Sequence, residues 1–340
     1  MSITDLIRYV VMDNGWSRWY VMRPWRDRQE RRAIERRIGD YGEGEEETGV
    51  VCCLFDGCNE AGGLADRLRG IVAVYQECKR RGLPFRLWFK HPFDLELFLE
   101  PAAYDWRITR QQICSDKKKT EVIVMRPLSD SPFTLRKQQA WMQRTFDRLA
   151  GHTFHQAHIY TNASTAYGEQ YAGLFAELFR PTPRLRQALE AIRQEIGGKY
   201  ISVSMRFLQL LGDFKDVVDV GATLTASEQE ALMAECIRRI EQLHEQYPDH
   251  RILVNSDSQR MLAEARRLPY VYAIEGEIIH FDRCEDRGDE YAKFEKTFLD
   301  FLTIANAERV FLIKCHSHMR YSGFPYAAAM IGGKEYEIIE

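Results

Sequence analysis

Arg206 follows the apolar run Tyr200 to Met205, at what reads as the carboxyl end of a strand. A guanidinium there offers a planar fork of donors that fits two phosphate oxygens, a geometry lysine does not reproduce. When a bond to a nucleoside diphosphate breaks, negative charge grows on the β-phosphate. A fixed cation and nearby backbone N–H groups then stabilise the transition state more than the ground state. The same arginine also fits a solvated surface position after a strand. Ser322-Gly323-Phe324-Pro325 lies between the strand Val310 to Lys314 and a short helix, Tyr326 to Ile331. Its hydroxyl and the helix-start N–H groups suit phosphate, or Ser322 is a plain N-cap. Ser256-Asp257-Ser258 follows the strand Arg251 to Asn255, where Asp257 can receive donors from a base or ribose, or cap the next helix. His316 and His318 follow the Val310 to Lys314 strand and are placed along the same nucleotide-binding edge.

Near the front, Gly62-Gly63-Leu64-Ala65-Asp66-Arg67-Leu68-Arg69-Gly70 permits close approach of backbone to ligand at a helix start. Arg67 or Arg69 is then within reach of a sugar, unless both are solvated helix arginines. The spacing is not that of a GxGxxG dinucleotide turn. Asp66 and Asp213 are the carboxylates that could remove a proton from an attacking hydroxyl, and a leaving phosphate could take it instead. Together the segments read as parts of one nucleotide-sugar site.

Elements that would position these groups alternate along the chain. Val50 to Phe55 is an apolar run suited to a buried parallel strand, followed by a helix to Arg81 and a strand Phe85 to Phe89. A helix-like Asp94 to Leu99, a strand Glu121 to Met125, a helix Leu135 to Leu149 and a strand Ala157 to Tyr160 follow. Arg180-Pro181-Thr182-Pro183 opens a helix that Gly197-Gly198 closes. A second alternating series then runs through helix Ser227 to Gln246, helix Gln259 to Arg267, strand Tyr270 to Ile274 and helix Asp289 to Ala305. This pattern predicts two α/β domains with parallel sheets and a ligand cleft between them. The expected divisions are a lead segment 1–48, a first domain 49–197 and a second domain 198–340.

In the lead segment Trp16, Trp19, Tyr20 and Trp25 are interleaved with Arg18, Arg23, Arg26, Arg28, Arg31, Arg32, Arg36 and Arg37. Residues 16–37 fit either peripheral contact with an anionic membrane or a helix whose aromatics pack on the protein while its arginines face water. A formal net charge of −3 gives no reason to expect nucleic acid. No apolar run is long enough to span a bilayer, and no secretory signal is evident, so a cytoplasmic location, with the inner membrane as a peripheral option, is expected. The eight cysteines form no CxxC pair and read as reduced thiols. Neither His152, His155 and His158 nor His316 and His318 has the spacing of a metal site, and no Asp-x-Asp ends a strand, so no cofactor or metal is expected.

The segments Gly62 to Gly70, Ile201 to Phe214, Val254 to Asp257 and Ser322 to Ala328 resemble those of the fucosyltransferase superfamily that includes the α-1,6-, α-1,2- and protein O-fucosyltransferases. The resemblance implies a GT-B fold, two Rossmann-like domains facing across a cleft with the donor held mainly by the second. It also implies inverting, metal-free transfer from a GDP-sugar donor, with fucose as the sugar, to an oligosaccharide or polysaccharide acceptor. Arg206 matches the family's arginine, Ser256-Asp257 its acidic segment, and Ser322-Gly323-Phe324 its last motif. Ser204 stands where the family has a histidine, Gln209 stands where it has an acid, and the next acid is Asp213. The implied donor contacts are Gly62, Gly63, Arg67, Ser204, Arg206, Ser256, Asp257, His316, Ser322, Gly323 and Phe324, with Lys314 and Arg320 as further cations. A transferase of this fold with another nucleotide-sugar donor, and a lapsed enzyme that keeps only nucleotide or carbohydrate binding, remain the alternatives.

Overall fold

In a computed structural model of the chain, the described residues are 18–42, 44–59, 61–126, 132–163, 170–213, 223–277 and 289–340. Trp16, Phe214, Cys284 and the extreme amino terminus therefore lie outside the described residues. The chain divides into two compact units. The first comprises Met1–Asp94 and Pro101–Gln170, the second Leu95–Glu100 and Tyr171–Glu340.

Unit 1 is built on β1 (Val50–Phe55), β2 (Phe85–Phe89), β4 (Thr120–Met125) and β5 (Gln156–Thr161), numbered with a short β3 (Leu99–Pro101) described below. The sheet order is β2-β1-β5-β4, and all three pairings are parallel. Central β1 is buried along its whole length, which is why it reads as an unbroken apolar run. Helices α1 (Arg23–Arg37), α2 (Leu64–Arg81) and α3 (Pro132–Ala150) complete the unit. Gly82 ends α2 in the left-handed conformation that glycine adopts without strain.

The expected lead segment is part of this unit. Ile34 and Ile38 enter the core formed by Val50, Cys52, Leu54, Val122 and Val124. Glu30 pairs with Arg126 at 3.0 Å, and the Arg23 guanidinium lies 4.6 Å from the Trp141 ring centre. Arg28, Arg31, Arg32, Arg36 and Arg37 are exposed, and so is Trp25, at 61%. The helix is thus held by Ile34, by Ile38 in the turn after it, and by ion pairing, while Trp25 stays exposed.

Unit 2 contains α4 (Gln170–Leu178, all but its first residue), β6 (Phe179–Pro181), α5 (Pro183–Ile196), β7 (Tyr200–Met205), α6 (Ala226–Gln246), β8 (Arg251–Ser256) and α7 (Gln259–Ala265). It continues through β9 (Val271–Tyr272), α8 (Glu290–Asn306), β10 (Arg309–Ile313), α9 (Gly323–Gly332) and β11 (Glu335–Ile339). Its sheet order is β11-β10-β7-β8-β9, again with every pairing parallel. Ile201, Val203 and Met205 project from one face of β7 into a core with Leu232, Cys236, Ile240 and Leu243 of α6. On the opposite face Tyr200 donates to the Thr303 carbonyl of α8 at 2.8 Å.

The boundary expected at 197/198 falls instead at 170/171. The reason is α5, which packs on α8 through Arg184, whose guanidinium sits 3.6 Å from the Tyr291 ring centre. Residues 95–100 join unit 2 because β3 pairs with β6 and Phe98 stacks on Tyr291 and Phe298 at 4.8 and 4.2 Å. The helix expected over Asp94 to Leu99 is a single 3-10 turn, Leu95–Leu97, leading into that strand. Among the described residues no helix is long and apolar enough to cross a membrane.

Candidate functional site

In unit 2 the strand order reverses between β7 and β10: chain progress runs outward through β8 and β9 on one side, and through β10 and β11 on the other. At such a switch point the loops leaving the two strands diverge and open a crevice at the carboxyl edge. The register defines what stands there. Ile313, Met205 and Ser256 are Cα partners across β10, β7 and β8. The residue after each is Lys314, Arg206 and Asp257, so these three form a row along that edge.

Asp257 organises the turn that follows Arg206. Its two carboxylate oxygens each accept one backbone N–H, from Phe207 and from Leu208, both at 2.8 Å. Leu208 is held at φ +56°, a left-handed conformation uncommon for a leucine. Burial pushes the Asp257 carboxyl up to about 6, against the two N–H donors and the Arg206 charge, which favour ionisation. Asp213 makes the reciprocal link. Its Oδ2 accepts from the Ser258 hydroxyl at 2.8 Å and from the Arg260 N–H at 3.0 Å, at the start of α7. Arg260 in turn donates to the Leu211 carbonyl at 2.9 Å. Two carboxylates therefore lock the loops after β7 and β8 to each other. Asp213, expected as a candidate base, is engaged as a cap, whereas Ser258 caps α7 by accepting from Met261 N–H at 3.1 Å. Ser256 Oγ accepts the Ser258 N–H at 3.1 Å, so its hydroxyl supports the loop.

After β10, Lys314 lies over the Tyr321 ring at 5.1 Å, and His316 accepts the His318 N–H at Nδ1. Ser322 flanks α9 in an extended conformation, and its hydroxyl does not cap the helix. That leaves the hydroxyl outside the N-cap role, with the Gly323 and Phe324 N–H groups beside it at the positive end of the helix. The Phe324 side chain meets Phe301 edge-on at 5.1 Å, an inward packing role. Ser204 is buried within β7, and its Oγ finds no hydrogen-bond partner among the described residues. It faces α8, below the edge and unlike a side chain that reaches a ligand.

One neighbouring polar group is absent from the sequence-based expectations. Lys296 and Asp300, one helical turn apart on α8, form a buried pair at 2.6 Å, and Asp300 also meets Asn255 of β8. Burial holds the Asp300 carboxyl above the usual carboxylate range. An aspartate set between Phe298-Leu299 and Phe301-Leu302, with a lysine four residues before it, is the signal that marks them.

Gly62, Gly63, Asp66 and Arg67 belong to the carboxyl edge of the unit 1 sheet. Gly62 is left-handed at φ +73°, and a Cβ there would lie 2.9 Å from Asp66 Oδ2. Arg67 is not the solvated helix arginine of the alternative reading. Only 2% exposed, it donates to the carbonyls of Gly62 and His91, both at 2.8 Å. Arg69 pairs with Asp66. Gly70 brings α2 against β5, where a Cβ would come within 2.9 Å of the Thr161 carbonyl oxygen. Asn162, which follows β5, has a buried Oδ1 with no partner among the described residues. The same edge carries a cavity of about 250 Å³ lined by Arg37, Tyr41, Asp56, Trp88, Lys90 and Arg110 among others. Within it Asp56 accepts from the Tyr160 hydroxyl at 2.9 Å and also from Tyr41.

No protein-family model and no curated protein matches the chain in sequence. Solved structures do match it in three dimensions. The fucosyltransferase NodZ from Bradyrhizobium superposes with TM-score 0.53 at 12% identity, over 84% of this chain and 92% of that one. NodZ α-1,6-fucosyltransferase soaked with GDP-fucose gives 0.51 at 12% identity, over 84% and 93%. A mutant of Arabidopsis thaliana FUT1 in complex with GDP gives 0.53 at 10% identity, over 92% and 77%. At such identities the likeness is one of fold, and the chain has the fold of these structures, the GT-B fold of two parallel-sheet α/β units.

Proposed function

We propose that this chain is a glycosyltransferase that moves a sugar, fucose, from a GDP-sugar to a hydroxyl of a glycan, with inversion and without a metal. The observation that carries the reading is the row Lys314, Arg206 and Asp257 at the strand-order reversal of unit 2, beside the start of α9. Arg206 is placed there to grip two diphosphate oxygens, with Lys314 as a second cation. The GDP-fucose and GDP held by the NodZ and FUT1 structures support the choice of donor. In the proposed reaction the acceptor oxygen attacks the anomeric carbon from the face opposite the diphosphate. The bond from that carbon to the β-phosphate oxygen breaks, and GDP departs with the electron pair. Arg206 stabilises the charge that appears on it. With Asp213 engaged at α7 and Asp66 paired with Arg69, the acceptor proton is taken to pass to the departing phosphate. The unit 1 cavity, with Trp88 as an apolar platform among cations and carboxylates, is proposed to receive the glycan.

Transfer from GDP-fucose to a panel of oligosaccharides in EDTA tests the reading, with Arg206→Ala beside the parent. Loss of an oxyanion-type cation costs about 10²–10³-fold in turnover. Transfer that survives the substitution intact, or that requires Mn²⁺, would count against the mechanism.

A further inference from the structure

Three segments of unit 1 converge at the amino-terminal edge of its sheet, the edge opposite the one that carries Gly62 and Asp66. Glu46 precedes β1, Cys114 precedes β4 and His155 immediately precedes β5, and these strands are parallel neighbours. The carboxylate oxygen, Sγ and ring nitrogen of the three side chains lie within 4.8 Å of one another. His155 Nε2 is 2.7 Å from Glu46 Oε2. Cys114 is a buried residue, while Glu46 and His155 are half-buried.

The backbone around them is fixed. Gln156, fully buried, donates from Nε2 to the carbonyls of Glu47 at 2.6 Å and Gln112 at 2.7 Å. Its Oε1 accepts the Cys114 N–H at 2.8 Å. The Gly49 N–H reaches the His155 carbonyl at 2.7 Å. One glutamine thus ties all three donor-bearing segments together, so the donors are brought close before any ion arrives.

We infer that Glu46, Cys114 and His155 form a binding site for a divalent transition metal ion of the zinc class. A thiolate, an imidazole and a carboxylate are the three donor types that zinc combines, with water completing a tetrahedron. Closing the site needs the His155 Nε2–Glu46 Oε2 pair to open from 2.7 Å to roughly 3.3 Å, with the Cys114 sulfur completing metal–ligand bonds of roughly 2.0–2.3 Å. On binding, the Cys114 thiol releases its proton to solvent, and His155 coordinates through Nε2 with its proton on Nδ1. No electron is transferred. The role is a clamp on the strand starts of unit 1, apart from sugar transfer, so the inference does not rest on the proposed function.

The test is titration of the chelator-treated full-length protein with Co²⁺ alone, then with Zn²⁺. The expected result is saturation at one ion per chain, with a thiolate-to-cobalt absorption band that Zn²⁺ removes, and a melting temperature that rises with Zn²⁺ concentration. Cys114→Ser abolishes the band, His155→Gln weakens Co²⁺ binding at least tenfold, and Cys58→Ser changes neither. Absence of a saturable band in the parent protein overturns the inference whether or not the variants fold. A band that persists in folded Cys114→Ser overturns it too.

Discussion

Asp257→Asn probes the clamp behind Arg206 through its pH dependence. The carboxyl titrates near 3.8 in an ordinary setting and is pushed up to about 6 by burial. The folded state therefore binds a proton between those values that the unfolded state does not, and stability falls as pH rises through that window. The displacement of roughly 2 pH units corresponds to about 3 kcal/mol at 1.36 kcal/mol per unit. Asparagine carries no such proton. It also presents one oxygen and one NH₂ where Phe207 and Leu208 both donate, so one N–H loses its acceptor at every pH. The parent should thus exceed Asp257→Asn in stability most at pH 4, with the margin shrinking by about 2.4 kcal/mol by pH 7.5, the rest of the ~3 kcal/mol lying below pH 4. For a unit of this size that is a change of roughly 5–10 °C in the difference between melting temperatures. Melts followed by circular dichroism from pH 4 to 8 measure it. A margin that is constant, or that widens as pH rises, refutes the assignment of a buried, proton-retaining Asp257.

Other parts of the account make separate demands. Arg67→Ala removes two charged hydrogen bonds that hold Gly62 and His91, so unit 1 should lose about 3 kcal/mol in urea unfolding. GDP affinity should stay within about twofold of the parent if the two carbonyls, rather than the donor, are what Arg67 serves. Gly70→Ala forces a methyl against the Thr161 carbonyl and should cost about 1–3 kcal/mol in the same assay. Lys296→Met strands Asp300 without its partner inside unit 2, at about 3–5 kcal/mol. The double variant Lys296→Met with Asp300→Leu should recover most of that loss in thermal melts.

The architecture was readable because its strands are buried on both faces, so Val50 to Phe55 and Tyr200 to Met205 stand out as apolar runs between amphipathic helices. The last strand, Glu335–Ile339, escaped notice because it lies at the sheet edge and alternates acidic with apolar residues. Helix α9 begins at Gly323, ahead of the expected Tyr326, because Pro325 fits the first turn, where its missing N–H costs nothing. For the site, strand-end position and the match to the fucosyltransferase motifs marked Arg206 and Asp257. What Asp257 binds could not be read, since its partners are backbone N–H groups some fifty residues away. The same holds for Arg67: helical spacing shows which face it occupies, but says nothing of the two carbonyls it bonds. Glu46, Cys114 and His155 are widely separated in sequence and meet only because β1, β5 and β4 are neighbours.

Calorimetric titration with GDP, then UDP and ADP, in EDTA tests the central claim most directly, with Arg206→Ala run alongside. The account predicts that GDP binds the parent with clear preference over UDP and ADP, and that the substitution weakens GDP by at least tenfold while the fold is retained. Equal or tighter binding of UDP or ADP, no nucleotide binding at all, or GDP affinity unchanged in Arg206→Ala would contradict it.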